Sequence, residues 1–331
     1  MTRILLTHTP SMRANYYGER ALAGLAALGH LLLHEEATTL AGEALIEAGR
    51  DADWIIADRA TAFPAAIFAA LPRPRAVLRC AVDIRNIDVP AASAAGILIT
   101  RAGPGFVASV TELIFGFLVD LNRGVSRAAA AYRAGQVPVA RMGRQLRGST
   151  LGIIGYGAIG REVAAIAQAF GMAVLIADPF VAVDAPGLRQ VDLAALLAEA
   201  DHVVCLAVAT EATENLMDRA AFARMKRDAV FINVSRGNLV DEAALAEALA
   251  EGRIAGAALD VGREADQMPS PALAAMAPII ATPHIGGLTP PAIEAQALET
   301  VAQLRALLGG AVSAGAVPAG AVNAADWTRR G

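Results

Sequence analysis

The chain has 331 residues, 55% of them hydrophobic, with 28 basic and 32 acidic side chains for a formal net charge of −4. That length exceeds what one core normally holds, so two domains are expected, and a mean hydropathy of +0.46 excludes a chain disordered throughout. Nearly balanced charge offers no basic field to gather nucleic acid or an anionic membrane, which leaves a small molecule as the expected partner.

The opening "MTRILLTHTP" carries no long apolar region followed by a small-residue cleavage site, so no signal peptide is expected. Over the first hundred residues five short apolar runs, "RILLT", "HLLLH", "DWIIAD", "RAVLRC" and "GILIT", alternate with helix-period segments, the pattern of a small parallel α/β unit. Cys80 closes the fourth run and Cys205 lies in a later one. Two thiols so placed are expected to be buried and reduced, which suits the cytoplasm.

From Leu151 the alternation resumes with six strand candidates: "LGIIG", "AVLIAD", "HVVCLAV", "AVFINV", "AGAALDV" and "PIIATP". Helix candidates at 159–170, 192–200 and 241–251 separate them, enough for a full doubly wound sheet. Between the first strand and its helix stand Gly155, Tyr156, Gly157, Ala158, Ile159 and Gly160, the cofactor-loop candidates. Gly155 permits the tight turn, Gly157 lets backbone approach a pyrophosphate, and Gly160 lets helix and strand pack closely, with the helix N-terminus facing the phosphate charge. Asp178 ends the next strand, where a carboxylate accepts hydrogen bonds from ribose hydroxyls and repels a 2′-phosphate. NAD is therefore expected over NADP.

"AVFINVSRGNLVDEAAL" places Arg236 just past a strand end, on the edge where open α/β sheets bind ligands, and its planar fork suits a carboxylate or keto acid. "IIATPHIGG" places His284 on the same edge, whereas His8, His30, His34 and His202 have no comparable setting and read as structural or solvated. A helix over Pro291–Leu308 follows, then a Gly/Ala/Pro tail too short to fold alone. The tail is expected to pack back on the first unit, giving a split domain at 1–100 plus 288–331 around a second at 101–287. The longest charge-free stretch, "LLGGAVSAGAVPAGAVNAA", is broken by glycine and proline, so no membrane span is expected.

On the segments "LRGSTLGIIGYGAIGREVA", "FINVSRGNLVDEAAL", "GAALDV" and "TPHIGG", with weaker likeness at "RNIDVPAASAAGILIT" and "SVTELIFGFLV", the chain resembles the D-isomer-specific 2-hydroxyacid dehydrogenase family over nearly its whole length. Its likeness is to the phosphoglycerate, glyoxylate and hydroxypyruvate reductase-like members. The resemblance implies an α/β protein of two doubly wound parallel-sheet domains, a Rossmann NAD-binding domain inserted into a flavodoxin-like substrate domain. It implies NAD as cofactor, a small 2-keto or 2-hydroxy acid as substrate, no metal, and a homodimer to whose face Val107–Val119 contributes. It also makes Arg236 the binder of the substrate carboxylate and carbonyl, His284 the acid/base, and Asp260 the holder of the nicotinamide carboxamide. The chemistry is coherent: reducing a 2-keto acid needs a hydride on carbon and a proton on oxygen, and imidazolium supplies the proton.

Two departures stand out. The family has a glutamate beside its histidine at the position of Ala265; Asp266, ahead of Glu264, is expected to replace it through a shifted loop, the alternative being no carboxylate partner. At "LRCAVDIRNID", Asp83 and Arg85 replace small or acidic residues of a glycine-rich loop, so Arg79 or Arg85 is expected to meet a polar or acidic substrate tail. A competing functional reading is a nicotinamide-sensing binding protein, catalytically weak because of Ala265. After "ADWTRRG" no regulatory domain is expected.

Overall fold

A computed structural model of the protein describes residues 2–309 and 317–328; positions 310–316 and 329–331 of the Gly/Ala/Pro tail lie outside the described residues. The five early apolar runs form parallel strands β1 (Arg3–Leu6), β2 (His30–Leu33), β3 (Trp54–Ala57), β4 (Ala76–Arg79) and β5 (Leu98–Arg101), in the order β2-β1-β3-β4-β5. Successive side chains along a strand face opposite sides, and the core divides accordingly. Ile4, Leu6, Trp54, Ile56, Leu78 and Leu98 pack on one face with Tyr17, Leu25 and Leu304. Leu5, Ile55, Ala57, Val77 and Ile99 pack on the other with Leu45, Phe63 and Phe68. Helices cover both faces, which is why these strands read as continuous apolar runs rather than alternating ones.

The chain divides into two units, the described residues of Met1–Phe106 with those of Pro290–Gly331, and Val107–Thr289. The late helix Pro290–Leu308 belongs to the first unit. There Gln303 accepts from the Thr100 hydroxyl at 2.7 Å, the Gly103 amide donates to Glu299 at 2.7 Å, and the Trp327 indole donates to the Arg75 carbonyl at 2.9 Å. The second unit opens with the helix Val107–Arg123 and ends at Thr289, and the Ser109 and Thr289 hydroxyls hydrogen-bond at 2.6 Å.

The second sheet has seven parallel strands, one more than the apolar runs predict: β6 (Thr150–Ile154), β7 (Ala173–Ala177), β8 (Leu188–Gln190), β9 (His202–Cys205), β10 (Val230–Asn233), β11 (Gly256–Leu259) and β12 (Ile279–Ala281). Their order, β12-β11-β10-β9-β6-β7-β8, reverses between β6 and β9, the crevice where doubly wound sheets bind ligands. Gly152 in mid-β6 allows the helix Leu193–Glu199 to lie close, since a Cβ there would stand 2.6 Å from Leu196 and 2.9 Å from Ala200. Cys80 and Cys205 are free, buried thiols, as expected. Among the described residues no helix is long and apolar enough to cross a membrane.

Candidate active site

β6 runs into the loop Gly155–Gly157 and then the helix Ala158–Ala169. Gly155 has φ 98°, and a Cβ on it would lie 2.7 Å from the Leu206 carbonyl oxygen of the neighbouring strand's loop, so the turn requires glycine. Gly160 faces the Gly155 carbonyl at a separation no Cβ could enter, while no described residue stands within 4 Å of a Cβ at Gly157. No side chain caps the helix, so its first amides are open at an exposed Gly157 and Ala158, with Ile159 half-buried. Tyr156 is buried beneath the Arg161 guanidinium, 4.5 Å over its ring. Asp178, past β7, accepts the Tyr156 amide at 2.7 Å and those of Phe180 and Val181 at 2.9 and 3.1 Å, which fixes its carboxylate beside the glycine loop. An open glycine, an uncapped helix N-terminus and a positioned carboxylate fit the pyrophosphate and ribose of a dinucleotide.

After β10 the chain is shaped by Asn233, whose side chain donates to the Arg236 carbonyl at 2.9 Å and accepts the Ser235 amide at 3.1 Å. Ser235 donates to the Ala207 carbonyl at 2.7 Å, tying this loop to the one after β9. Arg236 is half-buried in an extended conformation, and its guanidinium donates to the Ser235 carbonyl at 2.8 Å. Gly237 abuts the Gly262 backbone, so the loops after β10 and β11 touch main chain to main chain.

Asp260, at the end of β11, is 2% exposed. Its carboxylate accepts the Thr282 hydroxyl at 2.7 Å and the Ile285 and Gly286 amides at 2.8 Å each. Three of roughly four acceptor positions are thus spent on the segment carrying His284. His284 is half-buried with φ 55°, and its Nδ1 stands 2.6 Å from the main-chain oxygen of Asp266. Asp266, the residue expected to supply a carboxylate, places its main-chain carbonyl against the ring. Glu264 is exposed, and its amide donates to the Met268 carbonyl at 3.1 Å. The backbone here is unusual, since the consecutive residues Asp266 and Gln267, φ 54° and 60°, are both left-handed where this carbonyl meets the ring.

Arg263 escaped the sequence reading. Its guanidinium donates to the Val240 carbonyl at 3.0 Å and Asn215 at 2.6 Å and pairs with Glu214 at 2.8 Å, pinning the start of the same loop. Its signal, a lone arginine in "VGRE", was no different from any surface arginine.

The first unit corrects another expectation. Arg79 is fully buried and donates to the Asp58 carbonyl, to the Thr61 carbonyl at 2.9 Å and to Asn86 at 2.8 Å, so it braces loops and has no surface for a substrate tail. Burial pulls it down to about 10. Burial likewise lowers His8 to about 4 against the pull of Asp58. Arg85 remains exposed and clasps Asp83 with Nε at 3.0 Å and a terminal nitrogen at 2.6 Å.

The glycine loop, Arg236, Asp260 and His284 therefore line one edge of one sheet. Residues 115–286 match the model of the D-isomer specific 2-hydroxyacid dehydrogenase NAD binding domain. The chain is 36% identical over 270 residues to an (S)-sulfolactate dehydrogenase of Chromohalobacter salexigens, covering 80% of this chain and 87% of that protein. It is 34% identical over 281 residues to a D-3-phosphoglycerate dehydrogenase of Methanocaldococcus jannaschii, covering 83% of this chain and 53% of that protein; the chain thus spans about half the length of that relative. Among solved structures, a protein from Thermus thermophilus superposes with a TM-score of 0.85 at 30% identity, covering 97% of this chain and all of that one.

Proposed function

The chain belongs to the D-isomer specific 2-hydroxyacid dehydrogenase family, and from that premise we propose that it is an oxidoreductase moving a hydride between NAD(H) and a small 2-keto or 2-hydroxy acid of D configuration. The observation that carries the reading is the gathering of the glycine loop, Arg236 and His284 at the carboxyl ends of β6, β10 and β12. The unit Val107–Thr289 serves as the cofactor domain and the other as the substrate domain. The bound nicotinamide supplies or accepts the hydride. Arg236 holds the carboxylate and polarises the carbonyl, His284 exchanges the proton on oxygen, Asp260 meets the carboxamide with its remaining acceptor position, and Asp178 favours NAD over NADP. Two buried free thiols suit a reducing compartment such as the cytoplasm.

A homodimer is part of the proposal. What supports it is apolar surface along the second unit: Val119, Val125 and Tyr132 are exposed, Val137 and Val139 more so, and Met142 is 100% exposed. An open apolar hollow lined by Phe115, Gly116, Val119 and Val125 lies on the same segment. The sensor reading rests on Ala265 alone. NADH oxidation against a panel of small 2-keto acids tests the function. Turnover on at least one acid, lost by most of its rate in Arg236→Ala with NADH affinity retained, is expected. No turnover on any acid, or an Arg236→Ala variant with wild-type kcat/KM, overturns it.

A further inference from the structure

We propose that the main-chain carbonyl of Asp266 stands in for the missing carboxylate, holding the His284 imidazole as its Nδ1–H tautomer and leaving Nε2 as the atom that trades a proton with substrate oxygen; this rests on the reading of His284 as the proton exchanger. The contact is 2.6 Å from Nδ1 to that oxygen. A carbonyl has no proton to give, so the hydrogen between them belongs to Nδ1 whether the ring is neutral or cationic. Proton exchange is thereby confined to Nε2.

The carbonyl's aim is built into the loop. Asp266 and Gln267, at φ 54° and 60°, and His284 itself, at φ 55°, all hold left-handed backbone, which non-glycine residues adopt at a cost and keep only where surroundings over-determine it. The Gly262 amide donates to the Gln267 carbonyl at 2.7 Å, the Glu264 amide to Met268 at 3.1 Å, and Arg263 anchors the segment from outside. Asp260 fixes the histidine's own segment from below. The charged groups on the elements adjoining the His284 segment are Asp260 at the end of β11, Arg236 after β10, Arg263, Glu264 and Asp266 on the loop after β11, and an exposed Glu112 on the helix whose Val110 lies against Gly286.

A neutral carbonyl favours imidazolium less than an anion in its place would. In hydroxy-acid oxidation the substrate O–H bond breaks and its proton forms a bond to Nε2. The carbon's hydrogen departs with its electron pair to the oxidised nicotinamide, so the alcohol is oxidised to the ketone as the dinucleotide is reduced. Keto-acid reduction is the reverse, with Nε2–H as donor.

The test uses the whole protein with NADH bound and its five histidines 15N-labelled, the His284 signals being assigned by their loss in His284→Gln. The expected spectrum has a protonated Nδ1 and a bare Nε2; an Nε2–H tautomer overturns the proposal. Asp266→Gly keeps the left-handed residue and the carbonyl but removes the carboxylate, so the tautomer persists. Asp266→Pro, whose ring forbids that φ, loses it. Loss in both variants would assign the work to the side chain and sink the idea. Ala265→Glu should move the alkaline limb of keto-acid reduction up by about one pH unit or more, because an anion close to the ring favours its cation. An unmoved limb would mean the wild-type ring already has an anionic partner, against the proposal. A protein with the Nδ1–H tautomer but no turnover on any acid refutes the activity and leaves the tautomer standing; turnover with the Nε2–H tautomer does the opposite.

Discussion

Asp178 serves two ends with one carboxylate. Its three main-chain donors, Tyr156, Phe180 and Val181, lock the loops after β6 and β7 together, and the same group is the proposed discriminator against a 2′-phosphate. Asp178→Ala is therefore expected to narrow the preference for NADH over NADPH and also to destabilise, by about 1–3 kcal/mol for amides left without an acceptor. Cofactor titration and a denaturant midpoint separate the two effects; equal NADH and NADPH affinity in the wild type would refute the selective role. The glycines of the loop were legible because their spacing states a backbone requirement, and Arg236 and His284 because strand ends can be read from apolar runs. The partner of His284 was not legible. Main-chain carbonyls carry no residue signature, and two adjacent left-handed residues that are not glycine leave no mark in composition.

Among elements, the strands of both sheets were readable except β8. Leu188–Gln190 has three residues, two of them exposed and polar, and sits at the sheet edge, so it carries neither alternation nor an apolar run. Its function is local: Gln190 donates to the Asp178 and Val181 carbonyls at 2.9 Å each, closing the turn that presents Asp178. Close packing of β6 with the helix Leu193–Glu199 gives a second expectation. In Gly152→Ala the new methyl meets Leu196 and Ala200, and such overpacking costs about 1–3 kcal/mol, read as a lower denaturation midpoint. Arg263→Ala releases the loop after β11 from Val240, Asn215 and Glu214. The expected result is a kcat reduced several-fold with NADH affinity unchanged. Unaltered kcat would mean the loop keeps its shape unaided.

For the whole molecule, each unit encloses a histidine that folding holds neutral. Burial lowers His8 to about 4, opposed by Asp58, and lowers His202 to about 4, assisted by Arg144, from an ordinary 6.5. Among the described residues His8 Nδ1 has no hydrogen-bond partner in its buried setting, and His202 Nε2 lies 2.9 Å from the Asn122 amide nitrogen and 3.1 Å from its amide oxygen. The unfolded chain binds protons at these rings that the folded one refuses, so stability is complete above about 6.5 and is lost as pH falls from there toward about 4. The melting temperature is expected to drop by roughly 5–10 °C across that window, and His202→Gln to flatten the part belonging to the second unit. A melting temperature flat from pH 7 to about 4 would contradict both assignments. The proposed dimer has its own check: Met142→Glu combined with Val139→Glu should shift sedimentation toward the monomer, and an unchanged mass would remove that surface from the interface. Two-unit architecture was legible from length and repeated alternation, whereas the sequence offers the dimer only as an expectation from the resemblance.

The hydrogen bond between Ser109 and Thr289 bears on how this protein can be taken apart. The second unit begins and finishes at one spot, 2.6 Å apart at those hydroxyls, and in the first unit Gly105 packs against Ala292 and Ala295, close to the ends that would be severed there. In sequence the second unit is an uninterrupted insertion: residues 107–289 can be cut out with adjacent termini, and residues 106 and 290 of the first unit joined by a short linker. An excised cassette that binds NADH, made as a free-standing polypeptide or spliced into a foreign surface loop, is the engineering use this joint invites.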